Sequence, residues 1–286
     1  MIFSSREMAQ LSRLELLAQK VRKGELRGER EVSRRGPGGG FREHRGYQEG
    51  DALRTVDWNV YARMRSLVVK EFEAEEALDV ALIVDRSRSM RGEAGRCAAK
   101  VAAGLGAVAL TSLERVLLLP AGGAQRAAPE SFTGRARLPA LLEAVEGEAE
   151  GPTDLLGAAR AGLPRATRGG VAFVLSDFFD PAGATRALSY LLSRRLQVRA
   201  LLIEDPERLA PPPPGRARLV DAESGRVLKI DVTPAAVESY VRAREARAAS
   251  LRAFCRRSGA GFLRVRADQP FFEIVRAAIA RGWLTP

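Results

Sequence analysis

Cysteine and histidine are nearly missing from this chain, and lysine is scarce. Its 286 residues hold two Cys, one His and, among 46 basic side chains, five Lys. Two cysteines, Cys97 and Cys255, are too few for a disulfide framework. The lone His44 and the want of a strand-turn G-x-S-x-G leave a serine-hydrolase triad without support. No Walker A loop is present, so the chain itself is not expected to hydrolyse ATP. No apolar run approaches the ~20 residues of a bilayer span. The closest, 101–113, is bounded by Lys100 and Glu114 and interrupted by Thr111 and Ser112. The N-terminal stretch is charged by Arg6 and lacks the apolar core of a signal peptide. These absences describe a soluble, cytoplasmic protein.

A formal charge of +11 raises nucleic acid as a partner, but the arginines are scattered, with no basic block and no aromatic interleaving. A hydrophobic content of 46% is ample for a buried core. Residues 7–23 carry Met8, Leu11, Leu14, Leu17, Ala18 and Val21 at helical spacing. The stretch 33–76 is Gly-rich, with aromatics and short strand-like pieces such as 66–71, and reads as an irregular β-containing extension. From Leu78 the texture changes. "LDVALIVD", "RVLLLPAGG", "GGVAFVLSDFFD" and "LQVRALLIED" are strand-like runs separated by helical stretches, including 94–113 and 182–194. Strands alternating with helices over this length predict an α/β, doubly wound, mainly parallel sheet. After the stiff spacer 210–215, "ARLVDAESGRVLKIDV" predicts an inserted hairpin near 216–232 with Gly225 in its turn. Thr233 caps a further helix with Pro234 at its first position and Val237, Tyr240, Val241, Ala248, Leu251, Phe254 and Cys255 on one apolar face. The expected division is an N-terminal extension, 1–76, and an α/β domain, 77–286.

Ligands of open parallel sheets bind beyond the carboxyl ends of the strands, where strand order reverses. Asp85 closes "LIVD" and is followed by Ser87 and Ser89; Asp177 closes "FVLSD"; Thr153 in "GPTDLL" begins a helix whose N-terminus its hydroxyl would cap. If the two Asp-ended strands are neighbours across the reversal, all five side chains converge. The set is all oxygen, which suits a hard cation, Mg²⁺ above all, with Mn²⁺ or Ca²⁺ as substitutes. With two carboxylates and neutral hydroxyls, such a cation stays electrophilic and has room for a partner's Glu or Asp.

"DRSRS" resembles the DxSxS of the metal-ion-dependent adhesion site in von Willebrand factor A domains, and Thr153 and Asp177 look like that site's threonine and second aspartate. The resemblance implies that Ser87 and Ser89 ligate the metal directly, and that Thr153 and the aspartates do so directly or through water. Pro152 departs from the pattern, standing where a glycine is common. Residues 34–76, "RRGPGGGFREHRGYQEGDALRTVDWNVYARMRSLVVKEFEAEE", resemble the signature ahead of the A domain in the bacterial family called domain of unknown function fifty-eight. "LRAFCRRSGAGFLRV" resembles that family's last helix and strand. This likeness implies a partner, a MoxR-type AAA+ ATPase, for which such proteins are thought to act as adaptors in chaperone-like assembly or maturation. Many relatives carry membrane helices, and this sequence looks like a soluble short form.

The expectation is therefore a non-enzymatic, metal-dependent protein-interaction module with no catalytic residues. One enzymatic alternative is a Mg²⁺ phosphatase resembling the haloacid-dehalogenase superfamily, with "SDFFD" as its metal element. That chemistry wants a carboxyl acid–base two residues after the nucleophile, where this chain has Ser87. The other alternative is a basic nucleic-acid binder. Arg86 and Arg88 are expected as solvated loop charges, and Phe178 and Phe179 as packing residues. Asp57, Trp58, Tyr61 and Arg63 are expected to belong to a β-rich extension packed on the A domain rather than to a second binding site.

Overall fold

The computed structural model describes residues 2–22, 41–47, 56–72, 79–112, 114–122, 128–147, 150–163 and 170–284. They fall into two compact units, Met1–Leu26 with Leu78–Pro286, and Arg27–Ala77. In chain order the elements are α1 (Ser5–Arg22), β1 (Phe41–Gly46), α2 (Trp58–Met64), β2 (Val68–Phe72), β3 (Asp79–Asp85), α3 (Glu93–Thr111), β4 (Arg115–Ala121), β5 (Glu130–Thr133), α4 (Leu138–Ala144) and α5 (Leu155–Gly162). They continue with β6 (Val171–Ser176), α6 (Pro181–Ser193), β7 (Gln197–Glu204), α7 (Pro206–Leu209), β8 (Gly215–Val220), β9 (Val227–Val232), α8 (Pro234–Ser258), β10 (Gly261–Arg266) and α9 (Phe271–Ala280).

The larger unit is built on a six-stranded sheet of order β10-β7-β6-β3-β4-β5. It is parallel except for the edge strand β5, which runs antiparallel to β4. Every residue of β3 is buried, as its unbroken apolar run requires of a strand covered on both faces. Val80, Leu82 and Val84 enter one core with α1, α3, α4 and α9; Ala81 and Ile83 enter another with α5, α6 and α8. The sheet is thus flanked by helices on both sides. From β3 the chain first adds β4 on one side, then returns to lay β6 on the other. Strand order therefore reverses at β3 and β6, the two strands that end beside Asp85 and Asp177.

The first helix belongs with this sheet and not with the extension that follows it. Leu11 and Leu14 are buried in the core shared with α3 and α9, and Phe3 meets Phe271 edge-on at 5.8 Å. Glu7 pairs with Lys100 at 2.6 Å and Glu15 with Arg135 at 2.7 Å. The expected boundary at residue 76 thus becomes two crossings of one unit's edge, after Leu26 and before Leu78. Leu14, wholly inaccessible, gives a direct check. Leu14→Ala is expected to lower the unfolding free energy by about 2–4 kcal/mol in a urea titration; a loss below about 1 kcal/mol would mean that α1 is not part of the core.

In the smaller unit β1 and β2 pair antiparallel, and His44 lies in β1 opposite Lys70. Buried Asp57 accepts the Val60 N–H at 3.3 Å and so caps α2. Trp58 and Tyr61 meet edge-on at 6.1 Å.

The hairpin forms from β8 and β9 with Gly225 at φ +70° in its turn, and Thr233 caps α8 through the Ala236 N–H. The apolar face expected along the whole of α8 is buried only in its second half. Ala248 and Cys255 are buried, whereas Tyr240 and Val241 are exposed. Cys97 and Cys255 sit in separate cores, where burial pushes their thiols up to about 12 and about 11.

Candidate metal centre

Asp85 is the last residue of β3 and is 1% exposed. Its Oδ1 accepts the Ser87 N–H at 2.9 Å, which turns the chain sharply as it leaves the strand. Its Oδ2 accepts two hydroxyls, Thr153 Oγ1 at 3.0 Å and Ser176 Oγ at 2.5 Å. Ser87 is wholly buried, and its Oγ lies 3.0 Å from Ser89 Oγ. The alternate spacing has a local cause. Residues 88–90 form a single 3₁₀ turn pinned by buried Met90, whose N–H donates to the Ser87 carbonyl at 3.0 Å, and that turn sets the two hydroxyls side by side.

Thr153 does not cap α5. Asp154 takes that position and accepts the Gly157 N–H at 2.8 Å, which leaves the Thr153 hydroxyl to reach Asp85. Asp177 follows β6; its Oδ1 accepts the Phe179 N–H at 3.1 Å. Between them Phe178 takes a left-handed backbone (φ +48°) and is buried, while Phe179 is exposed beneath the Arg247 guanidinium at 4.1 Å. The structure brings Ser89, Thr153 and Asp177 to one cavity of about 680 Å³, with Asp85 and Ser87 bonded into its wall. Asp180, the second carboxylate of "SDFFD", caps α6 through the Ala182 N–H.

Neighbouring loops are stitched to this wall through main chain. Arg86 N–H donates to the Ala121 carbonyl (2.6 Å), Glu150 N–H to the Arg86 carbonyl (2.8 Å) and Arg88 N–H to the Gly151 carbonyl (3.0 Å). The Arg86 side chain is not the solvated charge expected. It is half-buried, Nη2 donates to the Ala144 carbonyl at 2.6 Å, and burial lowers its guanidinium below the ordinary value. Arg88 is exposed, as expected, and donates to the Glu223 carbonyl at 3.0 Å; Arg208 donates to the Ser89 carbonyl.

Burial pushes the Asp85 carboxyl up to about 6; the Ser176 hydroxyl opposes this, Asp177 adds to it, and Ser87 opposes it. Among the described residues no basic side chain is ion-paired to Asp85, Asp177 or Glu223, although Arg208 and Arg247 line the same cavity. Nor, among the described residues, do three or more His, Cys, Asp or Glu side chains gather as a metal cluster, and the donor set is hydroxyl as much as carboxylate. A buried carboxylate with only neutral donors, facing further carboxylates, fits a hard divalent cation. Two residues of this neighbourhood escaped the sequence pattern. Ser176 was visible only as the neighbour of Asp177, and Glu223 only as a turn residue of the hairpin.

Residues 43–250 match the family described as Protein of unknown function DUF58. The uncharacterized proteins Rv1480 of Mycobacterium tuberculosis and Mb1516 of Mycobacterium bovis are each 32% identical over 283 residues, covering 96% of this chain and 89% of theirs. Among solved structures, an aerotolerance-related membrane protein from Bacteroides fragilis matches at 15% identity and TM-score 0.34, over 71% of this chain and 98% of its own. BatB from Bacteroides thetaiotaomicron matches at 14% and 0.36, over 72% and 98%. Likeness at these scores adds nothing to the architecture described above. Among the described residues no helix is long and apolar enough to cross a membrane. By a family match over most of its length and by relatives alike almost from end to end, the chain belongs to the DUF58 family.

Proposed function

We propose that the chain is a non-enzymatic protein-interaction module of von Willebrand factor A type, whose binding to a partner depends on a divalent cation. The observation that carries this reading is the Asp85 carboxylate, buried at the strand-order reversal and ringed by the Ser87 N–H and the Thr153 and Ser176 hydroxyls. Asp85, Ser87, Ser89, Thr153 and Asp177 would hold Mg²⁺, and a bound dication supplies an electrophilic position for a carboxylate oxygen. The chain's own residues do the rest. Met90 fixes the turn that carries the serines, Asp154 frees Thr153 by taking over the cap, and the left-handed Phe178 sets Asp177 at the cavity. An acidic side chain of a partner protein is the matching ligand, because the Asp85 and Asp177 carboxylates repel it unless a cation intervenes between them.

The partner we propose is a MoxR-type AAA+ ATPase, on the strength of the resemblance in residues 34–76. The test is calorimetric titration of a MoxR-type AAA+ ATPase from the same organism into the full chain. Binding in Mg²⁺ is expected to vanish in EDTA and in Asp85→Ala. Binding indifferent to both would sink the metal-bridged mechanism and turn attention to the unit at 27–77.

A further inference from the structure

The tip of the β8–β9 hairpin enters the candidate site from a distant part of the chain. Asp221, Ala222, Glu223 and Ser224 line the same cavity as Ser89, Thr153 and Asp177. The tip is a built turn. Asp221 Oδ1 accepts both the N–H and the hydroxyl of Ser224 at 2.6 Å, and the Gly225 N–H closes on the Asp221 carbonyl at 2.9 Å. Arg88, from the loop that carries Ser87 and Ser89, fastens the tip by donating to the Glu223 carbonyl at 3.0 Å. With its main chain held at both ends, the Glu223 side chain is directed to the site. Its carboxylate interacts favourably with the Thr153 N–H and the Ser87 hydroxyl and unfavourably with Asp177 and Asp221.

One oxygen of that carboxylate, Oε1, is buried with no hydrogen-bond partner. A buried carboxylate oxygen left without a donor is costly. The hairpin gives little in return, since Val220, Val227 and Leu228 on its strands are exposed. A cation among Asp85, Ser87, Ser89, Thr153 and Asp177 would supply the missing partner.

We infer that Glu223 is the chain's own carboxylate ligand at this site, and that the hairpin tip holds the position which a partner's acidic side chain must take. The inference rests on the reading of the site given under Proposed function. It makes partner binding an exchange of one carboxylate for another. The partner displaces the hairpin instead of filling an open position, and affinity is set by the difference between the two carboxylates. Release of the tip also frees Arg88 from the Glu223 carbonyl, so that an arginine becomes available beside the incoming acid.

The test uses the full chain, Mn²⁺ as the probe ion, and three proteins: wild type, Glu223→Gln and Asp85→Ala. Free Mn²⁺ is followed by electron paramagnetic resonance, and amide hydrogen exchange is read over residues 215–232. Wild type is expected to bind one Mn²⁺ and, on binding, to slow exchange in the hairpin. Glu223→Gln, isosteric and at least as stable as wild type in EDTA, is expected to bind at least about tenfold more weakly, with no slowing in the hairpin. Equal Mn²⁺ affinity in wild type and Glu223→Gln, or hairpin exchange in wild type that ignores Mn²⁺, overturns the role of Glu223. In that case loss of binding in Asp85→Ala alone leaves the metal site standing. Failure of wild type to bind Mn²⁺ at all overturns the metal reading and this inference with it.

Discussion

Replacing Asp85 by asparagine is expected to stabilise the protein in EDTA by on the order of 2 kcal/mol at neutral pH, and to abolish any rise in Tm on adding Mg²⁺. Burial is the chief cause of the raised carboxyl, which stands at about 6 instead of its ordinary 3.8. A group whose folded value is raised contributes its full stability below the unfolded value and loses it as the pH climbs through the folded one. The Asp85 contribution is therefore complete below 3.8, declines up to about 6 and stays lost above that. Asparagine carries no charge to bury. Its side-chain oxygen can keep the Ser87 N–H, and the Thr153 and Ser176 hydroxyls can rotate to accept from its amide, since a hydroxyl both donates and accepts. Urea titrations of both proteins in EDTA at about pH 4 and pH 7 check the sign. The advantage of the variant should be small at the lower pH and full at the higher. An Asp85→Asn protein less stable than wild type at both would show that the carboxylate is not strained by burial. A residue that costs stability where it stands, at the reversal point of a sheet, is what a ligand-binding position looks like in energetic terms.

Gly122→Ala is expected to cost about 2–4 kcal/mol and to weaken Mn²⁺ binding at least about tenfold, although Gly122 bears no ligand. It follows β4 with φ +98°. A Cβ there would lie 2.9 Å from Ser87 N, 3.1 Å from the Arg86 carbonyl carbon and 3.2 Å from the Pro152 carbonyl oxygen. All three are main-chain atoms, which cannot rotate aside as a side chain can. Relief has to come from parting the loop that carries Ser87 and Ser89 from the loop that carries Thr153, and the 3.0 Å bond from Thr153 to Asp85 goes with it. Chemical denaturation together with a Mn²⁺ titration decides the matter. Unchanged stability with weakened binding would place the effect in loop alignment alone, and no change in either would show that the loops yield.

How much of this was legible in the sequence follows from the range of the forces involved. β3 was readable because burial on both faces demands an unbroken apolar run, and the alternation of such runs with helices carried the parallel sheet. β5 was not: within "ESFT" only Phe132 is buried, and a four-residue edge strand leaves no periodicity to read. The Asp85–Ser87–Ser89 group was visible because its spacing is local. Thr153 was placed correctly at the edge but given the wrong local task, since the adjacent Asp154 also has the chemistry of a cap. The half-burial of Arg86 depends on a carbonyl 58 residues away, and the anchor between Arg88 and Glu223 spans 135 residues. Nothing in a turn reading "DAESG" announces a site so far off. The apolar pattern along α8 overstated its burial, because a helix that begins at a hairpin has no sheet beneath its first turns.

The pairing of the first helix with the last bears on how the protein is made. Leu11, Leu14 and Phe3 leave the ribosome well before Phe271, Ile274 and Val275 of α9, which form part of their cover. Until residue 280 has emerged, one face of the nascent helix stays uncovered and the sheet lacks part of its lid. A chain cut short before α9 keeps those apolar residues of α1 uncovered for as long as it survives, while a chain that includes α9 hides them. The core therefore closes only after α9 has been made.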